Sequence, residues 1–214
     1  MPSRTSAKAR GATVPDDREW AAYTESPELP PVLEHALAAF VESGYHATSV
    51  RDLAKRLGQT VPAIYYHYEN KQALLVALLS ESIEDLLHRC QQANAESDDP
   101  LTRLSLVVKC IVLFTTYRRE LAFLDAEIRS LEPRNRKAYI AKRDQVEAVV
   151  TGAVEDCQAA KVIPRNEDAH AISRAIITMC RGVANWYRPE GPLGPQALAD
   201  QYVIYALRVA GRTA

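Results

Sequence analysis

The chain has 214 residues, of which 47% are hydrophobic and 25% charged, and its formal net charge is −1. That length fits one large or two small domains with a substantial core, and no run of about 18 apolar residues suggests a membrane span. The first residues lack the apolar stretch of a signal peptide, so a soluble cytoplasmic protein is expected.

Residues 1–29 read as a polar arm. Arg4, Lys8 and Arg10 lie in a Ser/Ala-rich context that builds no core, the composition of a disordered tail, with contact to an adjacent nucleic-acid groove as the alternative. A helix is expected over 31–43, with Val32, Leu33, Ala36, Leu37 and Phe40 inward. Ser49 can cap the next helix, with Asp52 where the helix dipole favours a carboxylate and Val50, Leu53, Ala54 and Leu57 on one apolar face. Gly58 can take the left-handed conformation that ends a helix, and Thr60 can cap a new one with Pro62 in its first turn. The connection is helix-turn-helix in length and chemistry.

The second of these helices carries Tyr65, Tyr66, His67 and Tyr68 in succession. Consecutive rings point in different directions, so some face the core while others present polar tips to a partner. Asn70 can cap a further helix over 71–93 whose apolar positions include Leu74, Leu75, Leu78, Ile83, Leu86 and Leu87. Its opening Lys71 places an ammonium beside free backbone N–H groups, a setting suited to phosphate. Helices are expected next over 97–117, 120–131, 133–160, 167–187 and 195–210, separated by Pro/Gly or acidic stops such as SDDP, VIPRN and RPEGPLGP. The result is an all-α chain of about nine helices: an arm over 1–29, a three-helix DNA-binding domain over 30–76, and a larger helical domain over 77–214. Cys90, Cys110, Cys157 and Cys180 are irregularly spaced and read as small buried hydrophobes.

The helix over 31–43, TSVRDLAKRLG and AIYYHYENKQALL resemble the DNA-binding domain of the TetR family of bacterial repressors over roughly residues 30–80. The resemblance implies a homodimer on a double-stranded, palindromic operator, with DNA contacts from Ser49, Thr60, Val61, Pro62, Ala63, Tyr65, Tyr66, His67 and Lys71. Residues 29–75 balance Arg51, Lys55, Arg56 and Lys71 against Glu34, Glu42, Asp52 and Glu69, so contact must depend on placement more than on net field.

Residues 127–150 and 182–211 are similar to the effector domain of an actinobacterial TetR branch whose members control lipid or sterol catabolism and respond to acyl-CoA thioesters. The resemblance implies a small-molecule effector and a dimer interface from the last two helices, here Ile172, Ile176, Val183, Tyr202, Tyr205 and Val209; burial of these residues within one subunit is the alternative. Charged residues embedded in apolar helices are the better ligand candidates, so Arg129, Arg143 and Arg181 can meet a carboxylate or phosphate. Each can equally pair with a nearby acid, Asp125 or Glu127 for Arg129 and Asp144 or Glu147 for Arg143. Phe114, Met179 and Trp186 are apolar candidates for the same pocket.

Two other readings remain. An efflux regulator shares the fold but takes lipophilic drugs. A di-metal enzyme would use Glu167-x-x-His170 and Asp85-x-x-His88, but two further inward carboxylates are missing, and no phosphate loop, nucleophile elbow or zinc spacing occurs. No metal, cofactor or catalytic residue is expected.

Overall fold

The chain is described from a computed structural model, which covers residues 18–23 and 29–212. Arg4, Lys8 and Arg10 lie outside the described residues. Local chemistry sets the first four helices. Pro31 opens α1 (Pro31–Ser43) at a position where a missing N–H costs nothing. The Ser49 side chain accepts from the Asp52 N–H while Asp52 accepts from the Ser49 N–H, a reciprocal cap that starts α2 (Val50–Leu57). Gly58 ends it at φ 63°, in the left-handed region a side chain resists. Thr60 caps α3 (Val61–His67) and Asn70 caps α4 (Lys71–Ala95). Leu37, Phe40, Leu53, Ile64 and Leu74 form the small core these helices share.

Asp99 caps α5 (Pro100–Tyr117), which packs against α4, α7 (Pro133–Ala159), α8 (Ala169–Arg181) and α10 (Pro195–Val209). This central position explains its composition. By length and composition α5 could cross a membrane, with mean hydropathy 1.3 over 18 residues, but 56% of that window is buried inside the protein, as in a core helix. Two expected helices are interrupted. The segment over 120–131 divides into α6 (Arg119–Leu124) and a 3-10 helix, Asp125–Ser130, and the one over 167–187 begins at Ala169 and breaks at Gly182 before the short α9 (Val183–Trp186). Glycine's low helix propensity suits that break. Ten α-helices result among the described residues, where about nine were expected.

The arm is also corrected. Residues Glu19–Ala21 form a 3-10 turn whose Trp20 is 1% exposed and donates from Nε1 to Glu96 at 2.5 Å. Arg89, oriented by Asp85 at 2.7 Å, donates to the carbonyls of Glu19, Trp20 and Ala22, and Tyr23 stacks on Tyr117 at 4.7 Å. The indole area buried and the cluster of satisfied carbonyls make residues 18–23 a strap on α4 and α5. The four cysteines are free and buried, with Cys90 and Cys110 sulfurs 3.8 Å apart; burial pushes the Cys110, Cys157 and Cys180 thiols up.

Candidate functional site

Helix α3 is seven residues long and its one fully buried side chain is Ile64. Pro62, Ala63, Tyr65, Tyr66 and His67 are exposed, Tyr66 to 86%, while Val61 and Tyr68 lie half-buried against the core. A helix anchored at so few points, with two phenols and an imidazole outward, offers apolar contact and hydrogen bonds to a groove. Ser49 and Thr60 are exposed at the helix starts and serve as caps. A hydroxyl in a cap retains acceptor capacity, so capping and a DNA contact are compatible.

Lys71 is engaged within the chain. Its ammonium donates to the carbonyls of Tyr45 at 2.8 Å, His46 at 3.3 Å and Thr48 at 2.9 Å, using the three donors an ammonium has. The reason is the loop between α1 and α2, whose carbonyls need a donor that the helices do not supply. The first-turn backbone N–H groups at this helix start lack intrahelical partners, a setting that also suits phosphate.

The second candidate site is a cavity of about 120 Å³ among α4, α5, α7 and α8. Ile83, Leu86, Ile111 and Ile177 give it apolar walls, and Arg143 and Arg181 stand at its polar side. Those two expected residues come together on one carboxylate: Asp125 lies 2.6 Å from Arg181 and 3.8 Å from Arg143. Tyr139 donates to Asp125 at 2.6 Å, and burial together with that carboxylate pushes its phenol well above the ordinary value, so it remains a donor. Glu147, also at the cavity, pairs with Arg174 at 2.9 Å.

The other expected ligand residues are elsewhere. Phe114 is 2% exposed within the enclosed α5, Met179 packs half-buried against the core, Arg129 is on the surface, and Trp186 is 51% exposed after the break at Gly182. None of the four lines the cavity. Asp125, Tyr139, Ile140 and Asp144 were missed as site residues, although Asp125 was a candidate partner for Arg129 and Asp144 for Arg143. Asp125 lies four residues before Arg129, but this segment is a 3-10 helix, in which that spacing does not align side chains as in an α-helix.

The dimer candidates divide in the same way. Ile172, Ile176, Val183 and Tyr202 are buried within this chain, so they belong to its own core and not to a free face. Tyr205 and Val209 are exposed at 36% and 40%, beside Ile204 at 51%. Of the residues considered for a di-metal site, Asp85 holds Arg89 and His170 faces Glu147 at 3.9 Å; no group of three potential ligands converges among the described residues.

A helix-turn-helix joined by one long helix to a helical body with an internal cavity defines a ligand-responsive DNA-binding regulator. Residues 32–78 match the family of bacterial regulatory proteins named for tetR, and residues 97–210 match the tetracyclin repressor-like C-terminal domain. The chain belongs to the TetR family of transcriptional regulators, which are DNA-binding proteins and not enzymes. It is 26% identical over 182 residues to the HTH-type transcriptional repressor KstR2 of Mycobacterium tuberculosis, covering 82% of this chain and 89% of that protein. A TetR-family regulatory protein from Rhodococcus RHA1 superposes with TM-score 0.81 at 27% identity, over 86% of this chain and 96% of the other. The fold is also that of AibR, solved in complex with isovaleryl coenzyme A and operator DNA, with TM-score 0.73 at 21% identity over 80% of this chain and 94% of that one.

Proposed function

We propose that the protein is a repressor that holds a palindromic operator as a homodimer and releases it when an acyl-coenzyme A thioester binds with its acyl chain in the cavity and its coenzyme A at the polar rim. The observation that carries the effector class is the pair Arg143 and Arg181 beside an apolar wall. Guanidinium groups suit the phosphates of coenzyme A, and aliphatic walls suit an acyl chain. Similarity to KstR2 supports repression, and the AibR complex supports the ligand class. A lipophilic cation, the expected effector of an efflux regulator, would meet Asp144 and Glu147 beside the two arginines, so the melting series includes it. Base contacts fall to Pro62, Ala63, Tyr65 and His67 on α3, with phosphate contacts from Tyr66 and the capped helix starts. The exposed Ile204, Tyr205 and Val209 on α10 supply the apolar patch of the dimer. A regulator on chromosomal DNA works in the bacterial cytoplasm.

The test is a melting series with isovaleryl-coenzyme A, longer acyl-coenzyme A esters, the free acids and lipophilic cations, beside gel shifts on a duplex selected by the protein from a random library. Stabilisation should rise with the logarithm of thioester concentration and accompany release of the duplex. Response to cations alone would replace the thioester with a drug-type effector.

A further inference from the structure

Asp125 joins the cavity to the DNA-binding domain. Its carboxylate accepts from Arg181 and Tyr139 at 2.6 Å each and lies 3.8 Å from Arg143. It opens the 3-10 helix Asp125–Ser130, which has no fully buried residue of its own. The segment's Ile128 packs only partly buried against the core, so polar tethers and flanks hold much of it, and short 3-10 segments commonly mark hinges.

The far end of this segment touches the helix-turn-helix domain. Ser130 Oγ lies 3.0 Å from His46 Nε2 and donates to Glu127 at 2.8 Å. Just beyond it, the Glu132 N–H and the Asn135 amide both donate to the Gln72 side-chain oxygen at 2.9 Å. His46 belongs to the loop whose carbonyls bind Lys71 and which runs directly into Ser49, the cap of α2. Gln72 is in the first turn of α4. The 3-10 segment therefore grips the entrance of the helix-turn-helix through Ser130, while the start of α7 grips the start of the connecting helix.

The geometry points to Asp125 as an internal substitute for the effector's anionic group. Two guanidinium groups share this carboxylate, and Asp144 on the same rim is exposed and forms no ion pair among the described residues. An incoming phosphate or carboxylate competes with Asp125 for Arg181 and Arg143. Once displaced, Asp125 no longer tethers the 3-10 segment, and the grip of Ser130 on His46 loosens. The tethered arrangement is the operator-holding one, and the effector shifts the population because it binds the arginines better when Asp125 has left. This inference rests on the cavity being the effector site.

The decisive variants are Asp125→Asn, Ser130→Ala, their combination and Arg181→Gln, measured on the library-selected duplex and in melts with isovaleryl-coenzyme A. Asp125→Asn should hold the duplex about tenfold more weakly with no effector present, a typical coupling factor, while being stabilised at lower thioester concentrations than the parent. Losing an internal competitor has that second effect; a general loss of structure does not. Arg181→Gln, which releases Asp125 from the other side, should also weaken duplex binding. Ser130→Ala should leave the thioester concentration for stabilisation unchanged, and in its background Asp125→Asn should no longer alter duplex affinity. The inference is overturned if Asp125→Asn and Arg181→Gln leave duplex affinity unchanged, or if the loss is as large with Ser130 replaced as with it present. Failure of isovaleryl-coenzyme A to stabilise the parent would remove the ligand class, while the duplex measurements, which use no effector, would still decide the tether.

Discussion

The Lys71 ammonium stands 4.4 Å from the centre of the Tyr45 ring while donating to the Tyr45 carbonyl at 2.8 Å. A residue at the start of α4 thereby holds the loop before α2 by cation–π attraction and hydrogen bonds together. Lys71→Ala should destabilise the protein by about 1–3 kcal/mol, through carbonyls left without a donor, and weaken selected and random DNA in parallel. Lys71→Met should not restore either property. Denaturant curves and a salt titration check this: a stable variant whose salt slope falls by about 1 would make Lys71 a phosphate ligand instead.

On α3 the roles should separate by exposure. Tyr65→Ala, Tyr66→Ala and His67→Ala should change stability by no more than about 0.5 kcal/mol and still abolish or sharply weaken duplex binding. Ile64→Ala, at 1% exposure, should cost about 2–5 kcal/mol. Paired unfolding curves and gel shifts distinguish the groups, and unchanged binding by all three surface variants would remove α3 from the interface.

Trp20→Ala should cost about 3–5 kcal/mol, as expected for a large ring removed from a buried site. Trp20→Phe keeps most of the apolar area but loses the bond to Glu96, so it should fall between the parent and Trp20→Ala. Equal stability of all three proteins in urea would show that residues 18–23 do not act as a strap.

On α10, Val209→Glu and Ile204→Glu should give folded monomers by light scattering that no longer shift the duplex at concentrations where the parent does. Ile176→Glu places a charge in the chain's own core and should unfold it. A dimer that survives both α10 changes would put the interface elsewhere.

Acid should reveal the helix caps. Hydrogen bonds from the Thr102 hydroxyl and backbone hold the Asp99 carboxyl below its ordinary range, as those from Ser49 do for Asp52. A carboxyl depressed in the folded state stabilises above its unfolded value, about 3.9, and loses that effect as pH falls through the folded value. The melting difference between the parent and Asp99→Ala should be full at neutral pH and shrink below about pH 4. A difference that persists unchanged at pH 2 would assign the effect to something other than the ionised cap.

The helix starts and stops of the DNA-binding domain were legible because their causes are local. Ser49 and Asp52 are three residues apart, Gly58 acts through its own backbone, and Thr60 and Asn70 cap within a single turn. The fate of Lys71 was not legible, because the carbonyls it binds lie 23 to 26 residues earlier. Periodicity on α8 marked Ile172 and Ile176 as one apolar face, but a pattern of 3.6 residues cannot say whether the same chain or a second copy covers that face. Of the pocket arginines, Arg143 and Arg181 reached the cavity and Arg129 did not, since Asp125 pairs across helices instead of along its own segment.

The strap makes the two domains discontinuous in sequence: residues 18–23 lie before the helix-turn-helix yet complete the body that follows it. A ribosome therefore delivers this piece first and its seat much later. Trp20 has nowhere to dock until Glu96 has emerged, and Tyr23 none until Tyr117 has. The three-helix domain can form in the interval from contacts close in sequence, whereas closing the strap joins residues 76 apart and is a slow, non-local step. Cutting after α4 would accordingly keep the Arg89 bonds to the strap but part Trp20 from Glu96 and Tyr23 from Tyr117.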